Sequence, residues 1–176
     1  MTPRDLMAPT PGQTVGPFFG YALPYAGGPD LVPPTRPDAV RLHGRVLDGA
    51  GDAVPDALLE LWQLAPDGTV PRAPGSLHRD GYTFTGWGRA ETDRTGHYQF
   101  TTLRPGGPTP FFALAVFARG LLDRLHTRAY LPGAAPTGWP GRSAVADDRG
   151  FVFDIRLQGE DETVFLSFAP DARPVQ

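Results

Sequence analysis

The four histidines are the first candidates for chemistry, because imidazole both binds metals and transfers protons near neutral pH. They stand at His43, His78, His97 and His126. No H-x-H or H-E-x-x-H spacing connects them, and the chain has no cysteine that could complete a Cys/His zinc site. The pattern therefore favours separately hydrogen-bonded or solvated histidines over a metal site.

A hydrolase triad can be drawn only from Ser76, His78 and Asp80, which are close in sequence. A triad is a spatial arrangement, so closeness in sequence is not evidence for one. The chain also lacks the G-x-S-x-G turn that presents a nucleophilic serine in many hydrolases. Hydrolase chemistry is not favoured.

Composition indicates a folded protein of one domain. The chain has 176 residues, 40% of them hydrophobic, and a net charge of -3, so its 22 glycines and 21 prolines are interpreted as turns rather than disorder. A pI near 5.7 with scattered arginines gives no basic stripe for nucleic acid. The longest apolar run, residues 111–118, is too short to cross a membrane, and no signal peptide is evident. With no cysteine, a cytoplasmic location is expected.

Three regions are expected along the chain. Residues 1–37 contain nine prolines and five glycines, which predict an extended N-terminal arm. Residues 38–170 are expected to form the folded domain, and residues 171–176 a flexible tail.

The folded region has the pattern of an all-β protein, an antiparallel β-sandwich. Short apolar or alternating segments bounded by turn residues predict strands at 40–48, 57–64, 86–92, 97–103, 111–118 and 127–131. A C-terminal hairpin is expected from residues 151–158 and 163–168, joined by the acidic QGEDE. Only residues 121–125 suggest a helical turn. Eight or so short strands with almost no helix are typical of a sandwich.

Four segments resemble a known family. They are QTVGPFF at 13–19, FARG at 117–120, LHTRAY at 125–130 and FDIRLQGEDETVFLSF at 153–168. In this order and at these spacings they resemble the intradiol ring-cleaving dioxygenases, and within that family the α-type chain of members built from two kinds of chain. The resemblance extends from about residue 9 to residue 168. It implies O2-dependent cleavage of protocatechuate between its two hydroxylated carbons, giving 3-carboxy-cis,cis-muconate.

The same resemblance implies that this chain binds no iron and contributes no catalytic residue. Members of the family hold Fe(III) with two tyrosines and two histidines. At the matching positions this chain has Val70, a short loop at 107–109, Phe111 and Ala113. Tyr82 could approach a metal, but one phenol does not hold iron. The ferric ion and its ligands would belong to a β chain.

The N-terminal motif implies a contribution to a substrate pocket shared with the β chain. Carried over by motif, Thr14 offers a hydroxyl, Gly16 leaves room for a flat ring, and Pro17 fixes the turn and presents an apolar face. Phe18 departs from relatives with tyrosine there, so no hydroxyl is expected from that position. The alternative is an arm that only packs on the surface.

Arg119 resembles an arginine that the α-type chain directs into the same pocket. A guanidinium matches the planar ring carboxylate of protocatechuate through its forked donors. The alternative is a surface or interface arginine that ends a strand. Surface or subunit salt bridges are the expectation for Arg128 and Arg156.

The expected function is thus that of an α subunit in an iron-dependent intradiol dioxygenase. Its partners would be a β subunit, the aromatic substrate and O2, with several αβ pairs in a larger particle. One alternative is a non-catalytic, transthyretin-like β-sandwich that binds another ligand or serves a structural role. A second is a self-sufficient dioxygenase with a remodelled iron site, which the missing imidazoles disfavour.

Overall fold

The computed structural model describes residues 12–73, 79–138 and 143–167. This part of the chain is almost entirely β. It contains one short helix, α1 (Phe19–Ala22), and nine strands: β1 (Ala39–Leu47), β2 (Leu58–Trp62), β3 (Trp87–Glu91), β4 (His97–Leu103), β5 (Phe111–Phe117), β6 (Leu125–Tyr130), β7 (Val145–Ala146), β8 (Gly150–Val152) and β9 (Ile155–Arg156).

The strands form the two sheets of a β-sandwich, which confirms the expected fold class. One sheet has the order β4-β1-β8-β7, with β9 also pairing with β1, and the other has the order β3-β2-β5-β6. Every pairing in the second sheet is antiparallel, with Leu58 opposite Phe117 and Trp62 opposite Ala113. This register places the ends of β2 and β5 side by side.

The core lies between the sheets and follows from alternation along each strand. In β5, Phe112, Leu114 and Val116 are buried, while the residues between them are half-exposed on the outer face. Side chains alternate between the two faces of a strand, so this segment can cover a core with only every second residue. The structure confirms the strand predicted for this run.

Buried polar groups join the two sheets. The side-chain amide of Gln63, directly after β2, donates to the carbonyl of Leu103 in β4 at 2.8 Å. The hydroxyl of Thr102 donates to Oε1 of the same Gln63 side chain at 2.7 Å. The hydroxyl of Tyr98 donates to the carbonyl of Phe153 at 2.6 Å, and burial raises the pKa of that phenol. The contacts of Gln63 therefore fix one sheet against the other, whereas the Tyr98 contact ties β4 to the chain between β8 and β9 in the same sheet.

The first six predicted strands occur where expected, but the C-terminal hairpin was wrong. Strands β8 and β9 both pair in parallel with β1, and residues 163–167 form no strand. The chain that follows β8 passes very close to β1: a Cβ on Gly44 would lie 2.2 Å from the carbonyl oxygen of Phe153. The glycine in β1 therefore admits the backbone of the returning chain. Alternation predicted extended structure here but could not identify the pairing partner.

The expected helical turn at 121–125 was also wrong, because Leu125 already begins β6. Among the described residues the helix is instead the single turn α1, inside the N-terminal arm. The prolines and glycines of residues 1–37 had predicted extended backbone there.

The second half of the arm is packed against the sandwich. Leu31 is buried in the core, and its amide donates to the carbonyl of Thr101 at 2.8 Å. Arg79 holds the arm from the other side, donating to the carbonyls of Gly28 at 3.1 Å and Trp87 at 2.8 Å. The boundary between arm and domain at residue 38 remains a prediction, and the expected tail at 171–176 lies outside the described residues.

Candidate functional site

A cleft of about 330 Å³ lies where β2, β3 and β5 reach the same edge of their sheet. The N-terminal arm covers one side of it. The lining residues are Pro17, Gly20, Tyr21, Pro55, Asp56, Ala57, Glu91, Thr92 and Arg119. Two of the residues that the sequence singled out for a pocket, Pro17 and Arg119, thus lie in one cleft.

Arg119 is positioned by the end of β5. Ala118 is buried, and the next residue leaves the sheet before Gly120 turns the chain at a φ of 89°. The Arg119 Nε donates to the Oδ2 of Asp56 in a short hydrogen bond. The arginine side chain is 57% exposed and that of Asp56 is 30% exposed. The guanidinium therefore has an anionic partner within this chain while most of its surface faces solvent.

Thr14 connects the arm to the same turn. The amide of Gly120 donates to the Thr14 hydroxyl oxygen at 2.7 Å. This contact joins residues 106 positions apart and places the arm beside Arg119. The hydroxyl is engaged by the backbone, so in this arrangement Thr14 holds the arm in place.

Gly16, Phe18 and Tyr21, further along the arm, face open space or solvent. Nothing lies within 4 Å of the position where a Cβ on Gly16 would stand, so this glycine borders open space. Its carbonyl accepts from the amide of Phe19 at 3.2 Å, which begins the turn into α1. Phe18 is 78% exposed and Tyr21 is also highly exposed. The arm therefore presents apolar rings outward beside the cleft.

The cleft carries more negative than positive charge. Asp56 and Glu91 are its carboxylates and Arg119 is its only guanidinium among the lining residues. An anion that approaches Arg119 must compete with Asp56, because one guanidinium face cannot serve two carboxylates with ideal geometry. Sequence reasoning missed Asp56: it lies 63 residues from Arg119, and only the pairing of β2 with β5 brings them together.

In the described ranges, the chain's own donors do not fit a ferric ion. Among the described residues no group of three His, Cys, Asp or Glu side chains converges on one point. Val70 is exposed, and Phe111 and Ala113 lie on the outer face of β5. Hydrocarbon side chains supply no oxygen or nitrogen ligand. No reaction step through iron can be derived from this chain alone.

The histidines are dispersed in the described part of the fold. His43 is within hydrogen-bonding distance of Asp147, at 3.0 Å, and its ring centroid is 5.9 Å from that of His97. His126 lies on the other sheet, with the Nε of Arg124 3.0 Å from its Nε2. Burial, and then the charge of Arg124, lower the pKa of His126. His78 lies outside the described residues.

The residues considered for a hydrolase triad are only partly described, since Ser76 and His78 lie outside the described ranges. The carboxylate of Asp80 accepts from the hydroxyl of Thr83 at 2.6 Å and from two backbone amides. These hydrogen bonds, first that of the Thr83 hydroxyl, lower the pKa of Asp80 to about 2. Asp80 therefore organises a turn.

Comparison with known proteins identifies the class. The solved dioxygenase domain of a dioxygenase–carbohydrate-binding fusion from Streptomyces sp. SirexAA-E is 24% identical, with a TM-score of 0.57, covering 86% of this chain and 99% of that one. An intradiol ring-cleavage dioxygenase from Tetranychus urticae is 14% identical, with a TM-score of 0.53, covering 72% and 84%. At these identities the likeness establishes the fold: the sandwich is that of intradiol dioxygenases.

Sequence comparison extends this to the family. A family model described as Dioxygenase matches residues 27–134. The chain is 32% identical to the protocatechuate 3,4-dioxygenase alpha chain of Burkholderia cepacia, over 89% of this chain and 96% of that one. It is 32% identical to the alpha chain of Pseudomonas putida, over 94% and 100%. The chain therefore belongs to the intradiol ring-cleaving dioxygenase family.

A further relative is the protocatechuate 3,4-dioxygenase beta chain of Burkholderia cepacia, 31% identical over 72% of this chain and 67% of that one. The chain is thus similar in sequence to both chain types. In the described residues, no helix has the length and apolar character needed to span a bilayer.

Proposed function

We propose that this chain is the α subunit of a protocatechuate 3,4-dioxygenase, which cleaves protocatechuate with O2 to 3-carboxy-cis,cis-muconate. The observation that carries the proposal is the match to two alpha chains over almost their whole length. The absence of a converging set of metal-binding side chains in the described residues supports an assignment to the non-catalytic subunit. Fe(III), its ligands and the oxygen chemistry would then belong to a β subunit.

In this proposal the chain supplies one wall of a substrate pocket shared with the β subunit. Arg119 would donate to the ring carboxylate of protocatechuate, Pro17 would present an apolar face, and Gly16 would leave space for the ring. Thr14 would hold the arm by accepting from the Gly120 amide. These roles are consistent with the cleft that Pro17 and Arg119 line and with the 2.7 Å contact of Thr14.

Asp56 would compete with the substrate carboxylate for the guanidinium of Arg119. Arg119 is paired with Asp56 in the chain by itself. When the β subunit and substrate are present, the guanidinium would rotate from Asp56 to the substrate carboxylate or share donors between them. The exchange is feasible because exposed ion pairs contribute only about 0 to 1 kcal/mol.

Assembly and location complete the proposal. We expect several αβ pairs to form a closed particle in the cytoplasm. Obligate interfaces of this kind are large and partly apolar, which accords with the exposed Phe18 and Tyr21 rings. The chain expressed alone should therefore self-associate or dissolve poorly.

The test is co-expression of the chain with a β-type chain that carries the tyrosine and histidine ligand set. Metal analysis should find about one iron per αβ pair, with O2 uptake on protocatechuate. The chain purified by itself should contain no stoichiometric iron and consume no O2. One ferric ion per isolated chain, with the visible colour of tyrosinate-bound iron, would contradict the proposal, as would a monomer with no affinity for any β-type chain.

A further inference from the structure

The N-terminal arm is attached to the sandwich on both sides of the segment that lines the cleft. Thr14 lies before this segment and accepts from the Gly120 amide at 2.7 Å. Leu23, the residue that ends α1, lies after it, and its carbonyl accepts from Nη1 of Arg89 at 2.9 Å. Three residues between these contacts line the cleft: Pro17, Gly20 and Tyr21. The two contacts therefore hold the ends of the segment that covers the cleft.

The backbone of this segment contributes little to its attachment. The described amide hydrogen bonds of residues 19–23 go to the carbonyls of Gly16, Phe18 and Phe19, inside the arm. The backbone joins a strand only at Gly28, whose carbonyl accepts from the Arg89 amide at 2.9 Å. Phe19 is the buried side chain of α1. The position of α1 thus depends on side-chain contacts rather than on sheet hydrogen bonds.

The side chain of Arg89 is held in one orientation by its strand neighbours. Glu60 in β2 is directly opposite Arg89 in β3. Nε and Nη2 of Arg89 both donate to Oε1 of Glu60, at 3.1 and 2.6 Å. The guanidinium carbon also lies 5.2 Å from the ring centroid of Trp87. One edge of the guanidinium is on a carboxylate and one face is on an indole, so its orientation is fixed before the arm docks.

The remaining nitrogen of this guanidinium meets the end of α1. A helix leaves its last carbonyls without partners inside the helix, and a cation near them is stabilising. Arginine suits this position because its planar fork can serve the Glu60 carboxylate and the Leu23 carbonyl at the same time. A lysine ammonium is a point charge on a flexible stem and cannot hold both contacts in a fixed geometry.

We propose that Arg89 is a positioning residue: oriented by Glu60, it fixes the end of α1 and so holds the cleft-lining segment of the arm beside Arg119. Arg89 does not itself line the cleft, so it acts through the arm. The effect on substrate binding rests on the proposed function, whereas the anchoring of the arm requires no β subunit. The two can therefore be tested separately.

Chymotrypsin digestion of the full-length chain, followed by mass spectrometry, tests the anchoring. Phe18 and Tyr21 are exposed aromatic cleavage sites within the segment. Cleavage there requires the arm to open, so its rate follows the population of the released arm. Arg89→Lys should be cleaved about two- to tenfold faster than the wild type, the effect of one lost hydrogen bond.

Two further variants complete the digestion experiment. Glu60→Gln removes the charge that orients Arg89 and should also accelerate cleavage in the arm, by a smaller factor. Arg36→Lys is the matched control, because Arg36 forms a similar pair with Asp38 outside the segment, and it should be cleaved like the wild type. Circular dichroism checks each fold, and Glu60→Gln decides the matter if Arg89→Lys does not fold.

Steady-state O2 uptake by the αβ assembly tests the consequence for the substrate. Arg89→Lys should raise KM for protocatechuate and for catechol alike, by about two- to tenfold, with kcat and iron content unchanged. A general loss of stability would instead reduce the active fraction and hence kcat. Wild-type cleavage rates in Arg89→Lys overturn the proposal, as does faster cleavage with an unchanged KM. If the wild-type assembly shows no activity, the proposed function fails, and the cleavage rates still decide whether Arg89 anchors the arm.

Discussion

Arg119 and Arg128 lie on the same sheet, but they are prepared for an anion in opposite ways. Arg119 follows the end of β5, is more than half exposed and is paired with Asp56. Arg128 lies within β6, is half-buried over the ring of Phe111, and has no carboxylate partner in the described chain. To bind an anion, Arg119 must exchange the carboxylate of Asp56 for that of the ligand, whereas Arg128 gives up only weak contacts. An arginine's availability thus depends on its neighbours more than on its exposure.

The largest expected effect is that of Arg119→Ala in the αβ assembly. If this side chain holds the ring carboxylate, KM for protocatechuate should rise by roughly ten- to a hundredfold, the value of one charge-assisted contact. KM for catechol, which lacks the carboxylate, should change little. Steady-state O2 uptake measures both, and iron content should be unaltered. An unchanged protocatechuate-to-catechol ratio in an intact particle would remove Arg119 from the pocket, whereas a dissociated particle would make it an assembly residue.

Thr14→Ala should have the next largest effect. The Gly120 amide would lose its 2.7 Å acceptor, and a neutral hydrogen bond contributes about 0.5 to 1.5 kcal/mol. We expect KM to rise by about two- to tenfold for protocatechuate and catechol alike, because the arm as a whole becomes less ordered. Thr14→Ser retains the hydroxyl and should behave like the wild type. An effect confined to protocatechuate would instead indicate direct contact of Thr14 with the carboxylate.

Asp56→Asn tests the competition at Arg119. The amide cannot pair ionically with the guanidinium, so Arg119 no longer has to leave a carboxylate to bind the substrate. KM for protocatechuate should fall by up to about fivefold, the upper value of an exposed ion pair. Glu91→Gln is the matched control, since Glu91 lines the same cleft without bonding to Arg119. A higher KM in Asp56→Asn would show that Asp56 orients the arginine.

The smallest effect concerns the pH dependence of stability. His126 lies on β6, with the Nε of Arg124 3.0 Å from its Nε2. Burial, and then the charge of Arg124, lower the pKa of this imidazole below its ordinary value of 6.5. The unfolded chain therefore takes up the proton first, so the free energy of unfolding should decrease as pH falls through 6.5 toward the folded pKa.

The matched control is His126→Gln, in which this decrease in the free energy of unfolding should be smaller, because glutamine does not titrate. Urea unfolding of wild type and variant across this pH interval measures the difference. An identical pH dependence in the two proteins would contradict the lowered pKa.

The elements most accessible from sequence were those with strong alternation. The run 111–118 predicted β5, and 97–103 predicted β4 at the same bounds as the structure. The C-terminal hairpin was wrong because alternation identifies an extended segment without naming its partner. Here Phe151 pairs with Leu42 and Ile155 with Val46, both in β1. Likewise the motif with Thr14 and Pro17 directed attention to the segment that lies beside Arg119, but no pattern pointed to Asp56.

By itself the sequence determined the all-β class, the positions of the main strands and the family. These depend on residue type and local spacing, which the chain carries before it folds. The tertiary structure alone decided the Asp56–Arg119 pair, the Thr14–Gly120 contact and the parallel pairing of β8 and β9 with β1. Such contacts depend on sheet order and register, since strands distant in the chain become neighbours only when the sheets assemble.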